Sequence, residues 1–176
     1  MKTSKANIPP SAHLVAAREQ LDFLHSSGAV IDSDACVFEL YCRMTADAPA
    51  WLKGAFKVRD SISQHFNVER IGGFSGVAPR NPPAVGDKLD FFTVESLSPH
   101  NMVLTSRDTH LAVMVSIDAT DVHPRTLHIT TSVKTFNTFG RLYMLPVAPV
   151  HGVIIKRLLA HLPLYSPTHS LGDRHP

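Results

Sequence analysis

The chain has 176 residues, of which 44% are hydrophobic and 18% are charged. This composition is typical of a globular protein with a sizeable core and argues against wholesale disorder. The formal net charge is only +2, and the basic residues are scattered, whereas a nucleic-acid-binding surface needs them clustered. We therefore expect one domain over residues 1–165, extended or frayed over 1–12, with a flexible tail over 166–176 and no nucleic-acid partner.

The chain ends and the two cysteines predict a cytoplasmic protein. Residues 1–10 are polar and lack the apolar segment of a secretory signal. The uncharged stretch 142–155 contains two prolines and is shorter than the roughly 20 residues of a membrane-spanning helix. Cys36 and Cys42 fall in a predicted strand, about 20 Å apart, which is too far for a disulfide. We expect reduced thiols, no membrane span, no metal and no cofactor.

The N-terminal half predicts alternating elements. A helix over residues 11–24 follows two prolines, and a strand over 35–44 has alternating apolar side chains. A second helix is predicted over 49–64, where the apolar residues recur on one face. The glycine- and proline-rich stretch 70–87 is predicted to be a loop.

The C-terminal half predicts an antiparallel sheet followed by a helix. Strands are expected near residues 88–96, 101–107, 109–118 and 126–136. Alternation is cleanest in the last two, where one side of the final strand carries Leu127, Ile129, Thr131 and Val133. The last element is expected to begin near Gly140, and its helix, with Pro149 in the first turn, is expected to end at about Leu162.

This order of elements predicts an α+β fold of the helix-grip type. A curved antiparallel sheet wrapped around a long C-terminal helix buries the apolar surfaces of both. Such an arrangement commonly leaves a cavity between helix and sheet, which is a usual place for a small apolar ligand.

Two segments resemble a known family. Residues 85–95 (VGDKLDFFTVE) and residues 136–143 (FNTFGRLY), the latter followed by Pro149 and His151, are similar to domain-of-unknown-function family 2867. The resemblance extends over about residues 35–162. It implies a START-like helix-grip domain of the SRPBCC type and does not imply a reaction.

His151 is the first candidate site residue. Steps of 100° per residue place it in the middle of the apolar face of the last helix, so we expect its ring to face the sheet or a cavity. Two interpretations stay open. The imidazole fixes a ligand or acts as a general base, or it is a buried group bonded to a structural partner.

Polar residues elsewhere carry weaker hypotheses. Arg141 and Tyr143, near the helix start, are candidates to clamp an anionic group, or else to anchor the helix. Arg107, Asp108 and His110 lie at a predicted hairpin. Asp108 there either supports acid–base chemistry with His151 or simply makes the turn. His110 and His128 share a strand face but lack the third ligand of a metal site.

Aromatic side chains are the candidate walls of a cavity. Phe91, Trp51 and Phe136 are the ones we expect to touch a ligand, although aromatic residues at such positions are more often plain core.

Three functions remain open on the sequence. The first is a module that binds a small apolar or amphipathic molecule between sheet and helix. The second is a cyclase- or hydrolase-type enzyme that uses His151 with Asp108 or Tyr143. The third is an interaction or dimerisation domain without a ligand, including a possible homodimer, which would present a large exposed apolar patch.

Overall fold

The computed structural model describes residues 8–46, 54, 73–76, 79 and 81–165. The predicted helix over 49–64 lies outside these residues apart from Gly54, which is helical. The candidate wall residue Trp51 also lies outside the described part of the chain. Where residues 73–87 are described, they form neither helix nor strand, as the predicted loop requires.

The described residues form one six-stranded antiparallel sheet and two α-helices. The strands are β1 (Phe23–Ile31), β2 (Lys88–Leu89), β3 (Phe92–Leu97), β4 (Asn101–Arg107), β5 (Leu111–Ala119) and β6 (Arg125–Thr135). Their spatial order is β1-β6-β5-β4-β3-β2, so β1 is an edge strand. The helices are α1 (Val37–Ala46) and α2 (Thr138–Leu159). An open antiparallel sheet with a C-terminal helix confirms the α+β helix-grip arrangement.

The helix predicted over residues 11–24 is wrong. Only Arg18–Gln20 form a short 3-10 helix, and β1 begins at Phe23. The segment before them lies against the sheet, where the N–H of His13 donates to Ser116 Oγ and that of Val15 donates to Ser132 Oγ. These long-range hydrogen bonds satisfy the backbone without a helix, so tertiary contacts override the local pattern.

The strand predicted over residues 35–44 is also wrong, because this segment is α1. Its buried residues include Val37, Leu40, Tyr41 and Met44, which recur at the helical spacing of three and four. The same sequence also alternates at period two, and a short apolar segment does not separate the two patterns. Cys36 therefore precedes a helix that contains Cys42, and both thiols are free.

The strands of the C-terminal half confirm the predicted sheet with one interruption. The expected strand over 88–96 divides into β2 and β3, because Asp90 has a φ of 54° in the tight turn between Leu89 and Phe92. The Asp90 carboxylate accepts hydrogen bonds from the Tyr41 hydroxyl and from the N–H of Ser75. This turn therefore ties α1 and the 73–76 segment to the sheet.

The C-terminal helix begins earlier than the sequence predicts. Asn137 caps α2 by accepting a hydrogen bond from the N–H of Gly140 at 3.0 Å, and Pro146 and Pro149 lie inside the helix rather than in its first turn. A proline within a helix removes one N–H from the backbone ladder. Both prolines are on the exposed side of α2, where water can satisfy the unpaired carbonyls.

Helices α1 and α2 cover one face of the sheet, which we call the inner face. Most apolar side chains between them form the main core cluster, whose fully buried members include Ile31, Leu40, Leu104, Ile117 and Leu127. A second, small core cluster lies under the first half of α2. It contains Leu111, Val133 and Met144, with Phe23, Tyr143, Val147 and Ala148 packed around them.

Candidate functional site

A polar layer separates the two core clusters on the inner face. It consists of His25 on β1, Thr131 on β6 and His151 on α2. On each of these elements, one flanking apolar residue belongs to the small core cluster and the other to the main one. These flanking residues are Phe23 and Ala29 on β1, Val133 and Ile129 on β6, and Ala148 and Ile155 on α2.

The three side chains of the polar layer meet because β1, β6 and α2 bring them to one place. His25 is directly opposite Thr131 in the β1–β6 register. The rings of His25 and His151 are in edge contact with centroids 5.4 Å apart, and Phe23 contacts His151 in the same way at 5.3 Å. Gly152 brings the α2 backbone close to His25, since a Cβ there would lie 3.3 Å from Nε2.

Three atoms of this layer are buried without a hydrogen-bond partner in the described part of the chain. They are Nδ1 of His25, Oγ1 of Thr131 and Nε2 of His151. Buried polar atoms nearly always have a partner, and each unsatisfied one costs about 1–3 kcal/mol. Their concentration at one point between sheet and helix leaves hydrogen-bonding capacity that the fold does not use.

Burial keeps both histidines of the layer uncharged near neutral pH. It lowers the pKa of His151 to about 4, with a smaller contribution from the neighbouring His25. Burial also lowers the pKa of His25, and the charge of Lys156 adds to this effect. A neutral imidazole has one N–H donor and one nitrogen acceptor. The layer can therefore donate to and accept from a polar group, but it presents no fixed charge.

A cleft of about 170 Å³ opens beside the polar layer, at the start of α2. It is lined by Asp22, Thr135, Arg141, Met144 and Leu145. Phe23, which packs on His151, shares the small core cluster with Met144 on the cleft wall, so one layer of side chains separates the cleft from the polar layer. A second depression, of about 220 Å³, lies along β1 on the other face of the sheet, and His128 is among its lining residues.

The cleft carries one cation and one anion. Asp22 Oδ2 accepts hydrogen bonds from the N–H and the hydroxyl of Thr135, at 2.7 and 2.8 Å. Burial raises the pKa of Asp22, but these two bonds and the charges of Lys134 and Arg141 outweigh it and lower the pKa overall. Arg141 is exposed at the rim, where its guanidinium is available to an anionic group.

The structure does not bring the other candidates for acid–base chemistry to His151. The Asp108 carboxylate accepts from the N–H groups of His110 and Leu111, at 2.6 and 2.9 Å, which is the turn role. Tyr143 is half-buried against the small core cluster. It lies eight residues before His151 on α2, about 12 Å along the axis.

His110 supports the start of α2. Its Nδ1 is 2.8 Å from Asn137 Nδ2, and its ring packs on Phe139 at 4.7 Å. His128 is paired with Asp118 near the far end of β5, so the two histidines are about 25 Å apart along the sheet. In the described ranges, no group of three or more His, Cys, Asp or Glu side chains could hold a metal.

The remaining candidates lie away from the layer. Arg107 is exposed at the end of β4, and Phe136 is 56% exposed before α2. Phe91 is half-buried and packs against Phe74 and Phe92.

Sequence reasoning missed His25 and Thr131 as site residues. The helix predicted over 11–24 ends just before His25, so the strand-like alternation of His25 with Phe23 and Ala29 was not recognised. Thr131 was assigned to the apolar side of its strand, and a lone hydroxyl on that side was the signal that could have identified the layer.

The two segments that resemble the family have structural roles. Asn137 caps α2 and also reaches His110, as described above. Gly140 permits the helix to approach the β4–β5 turn, because a Cβ there would lie 2.4 Å from the carbonyl oxygen of His110. Gly86, with a φ of 93°, and Asp87, whose carboxylate accepts from the N–H of Ala84, form the turn before β2.

Comparison with known proteins identifies a family without assigning an activity. Residues 19–158 match the family described as protein of unknown function (DUF2867). No curated protein matches the chain. No solved structure matches it either. Since the match covers most of the chain, including β1 and nearly all of α2, the protein belongs to the DUF2867 family.

Proposed function

We propose that this protein binds a small amphipathic molecule between the sheet and α2, at the polar layer and the adjoining cleft. The observation that carries the proposal is the convergence of three buried, unsatisfied polar atoms on His25, Thr131 and His151. Native folds seldom leave such atoms together unless they serve another purpose. A ligand that hydrogen-bonds to them would recover the lost interactions.

The surroundings of the layer define the chemistry of the ligand. Because both imidazoles are neutral near pH 7, the group that meets them is an uncharged hydroxyl, carbonyl or amide rather than an ion. The small core cluster, with Phe23 and Met144, offers an apolar surface to the rest of the molecule. Arg141 at the cleft rim would select an anionic end over a cationic one.

The cleft limits the size of the molecule. Its volume of about 170 Å³ is smaller than the roughly 300–1,000 Å³ of pockets that take drug-sized ligands. We therefore expect a compact ligand, or one that displaces α2 slightly on entry.

Binding is favoured over the cyclase or hydrolase alternative by the same geometry. General acid–base catalysis needs two titratable groups within hydrogen-bond reach of a reacting atom. Asp108 is engaged in its turn and Tyr143 lies on another part of α2, so neither accompanies His151. His25 does, but burial lowers the pKa of both imidazoles and so makes them weaker bases.

Native mass spectrometry of freshly purified full-length protein tests the proposal. Wild type should carry an extra mass that leaves on denaturation and can be extracted and identified. His151→Leu joins the two core clusters with an apolar side chain and should lower the occupied fraction at least about ten-fold. His128→Leu is the matched control, since His128 is a half-buried histidine on the opposite face of β6, and it should keep wild-type occupancy.

A neutral probe covers ligands that are lost in purification. Titration with 1-octanol should shift the imidazole C–H NMR signals of His25 and His151 saturably, and those of His128 should stay unchanged. A clean apo mass together with unshifted His25 and His151 signals would refute the proposal. Equal occupancy in all three proteins would place the bound molecule elsewhere.

A further inference from the structure

Helix α2 is apolar on both of its sides. One side packs on the sheet through residues such as Met144, Ile155 and Leu158. The opposite side, which we call the outer helix face, carries four large aliphatic residues that are 44–63% exposed and two exposed prolines. These residues are Leu142, Leu145, Pro146, Pro149, Val150 and Val153.

The outer helix face is continuous. At 100° and 1.5 Å per residue, its six residues fall within about 140° of the helix circumference and extend about 17 Å along the axis. Soluble monomers seldom expose a contiguous apolar surface of this kind unless it meets a partner. By length and composition, α2 would even qualify as a membrane-crossing helix.

Positive charge flanks this apolar face at both ends. Arg141 precedes it, Lys156 and Arg157 follow it, and all three are exposed. The sequence of α2 contains no Asp or Glu. If a second copy of the chain packed its own outer helix face against this one, like charges would meet at both ends, whether the two helices were parallel or antiparallel. Such contacts are unfavourable. An anionic surface would be attracted by both ends.

We propose that the outer helix face docks onto an anionic lipid membrane surface, with its aliphatic residues in the headgroup boundary and the three cations on lipid phosphates and carboxylates. An apolar helix face with flanking basic residues is the general form of a peripheral membrane contact. The proposal does not depend on the small-molecule site, because the polar layer lies on the other side of α2 and only Arg141 and Leu145 are shared with the cleft.

Peripheral contact fits α2 better than a membrane span. Pro146 and Pro149 lack the N–H groups that would bond the carbonyls of Leu142 and Leu145, and unpaired carbonyls are costly in hydrocarbon but not among hydrated headgroups. The opposite side of α2 is also committed to the sheet. The helix therefore lies in the membrane surface instead of crossing it.

Vesicle flotation tests the proposal with full-length protein. Wild type should float with vesicles of phosphatidylcholine and phosphatidylserine and much less with vesicles of phosphatidylcholine alone. The double variant Leu142→Glu/Val153→Glu should bind the anionic vesicles at least about ten-fold more weakly, because it places two carboxylates in the docking face and changes no residue of the cleft. Lys156→Gln should weaken binding about five-fold, and added salt should weaken it further.

The matched control changes the same charge elsewhere. Val85→Glu/Val122→Glu introduces two carboxylates at positions that are 67% and 74% exposed, in loops outside α2, and should lose less than about three-fold. Failure of wild type to float with anionic vesicles would overturn the proposal, as would equal flotation with both vesicle types or equal loss in both double variants. A wild-type dimer that dissociates in Leu142→Glu/Val153→Glu, without any flotation, would identify a second copy as the occupant instead.

Discussion

Two neighbouring threonines of β6, Thr130 and Thr131, differ in whether the fold pairs their buried hydroxyls. On the outer face, the Thr130 hydroxyl bonds to Ser26 Oγ at 3.0 Å, and Ser132 Oγ accepts from the N–H of Val15. On the inner face, Thr131 lies between these two residues and is 3% exposed, yet its hydroxyl has no partner among the described residues. The same strand therefore contains both satisfied and unsatisfied hydroxyls within three positions.

This difference separates groups that serve the fold from groups that do not. The outer face extends its hydrogen bonds to Ser116 and Asp118, and Asn101 completes the set through Asp118 Oδ1. These hydrogen bonds hold the N-terminal segment and the neighbouring strands in place, which accounts for the buried polar groups on the outer face. The unsatisfied atoms of the polar layer (His25, Thr131 and His151) make no such hydrogen bonds, so they reduce stability unless a ligand bonds to them.

The largest expected effect is an acid-induced fall in the free energy of unfolding that depends on His151. Its pKa is about 4 in the folded protein, below the 6.5 of an exposed imidazole. Below pH 6.5 the unfolded chain binds a proton that the folded one does not. The free energy of unfolding should therefore fall by roughly 3 kcal/mol as the pH falls from 6.5 to about 4.

Urea unfolding of wild type and His151→Leu across this pH range isolates the histidine from other groups. The variant should lack most of the loss, and above pH 6.5 it should be at least as stable as wild type, because it removes an unsatisfied polar group. Parallel pH curves for the two proteins would mean that His151 titrates normally and that its environment is not the one described above.

The second effect contrasts two glycines of α2. At Gly140, a Cβ would lie 2.4 Å from the backbone oxygen of His110, which cannot move without distorting the β4–β5 turn. Gly140→Ala should destabilise the protein by about 2 kcal/mol. At Gly152, the nearest atom is Nε2 of His25 at 3.3 Å, the end of a side chain, so Gly152→Ala should change stability by less than about 1 kcal/mol.

Thermal unfolding of both glycine variants measures this contrast. Gly152→Ala should leave the fold intact but shift the NMR signals of the His25 ring. A larger loss at Gly152 than at Gly140 would show that the polar layer, rather than the helix start, is the more rigid contact.

The sequence predicted the sheet and the last helix because their patterns are long. Nine to eleven alternating residues in β5 and β6 distinguish a strand from a helix, whereas the ten residues of α1 satisfy both periods. β1 was missed because its inner face carries His25 and Ser27 where apolar residues would mark a strand. His25 thus both obscures the strand pattern of β1 and forms part of the candidate site.

The candidate site could be predicted only in part for the same reason. His151 was recognised because a polar residue stood at the centre of an apolar helix face, and its burial follows from that position. Its partners required the β1–β6 register, which places residues more than 100 positions apart opposite each other and leaves no local signal. The contact of Asn137 with His110 likewise depends on the β4–β5 turn meeting α2, whereas the turn role of Asp108 is local and was one of the two interpretations of the sequence.

Neighbouring threonines on β6 give the most direct test of the central claim, that the fold uses the outer polar groups of β6 and not those of the polar layer. Thr130→Val and Thr131→Val are isosteric changes at positions that are 0% and 3% exposed. In ligand-stripped protein, urea unfolding at pH 7.5 should show Thr130→Val about 1 kcal/mol less stable than wild type, because Ser26 loses its partner. Thr131→Val should be about 1 kcal/mol more stable, because a buried unpaired hydroxyl is removed. A comparable loss in both variants would contradict the account, since it would mean that the Thr131 hydroxyl is already satisfied within the folded chain.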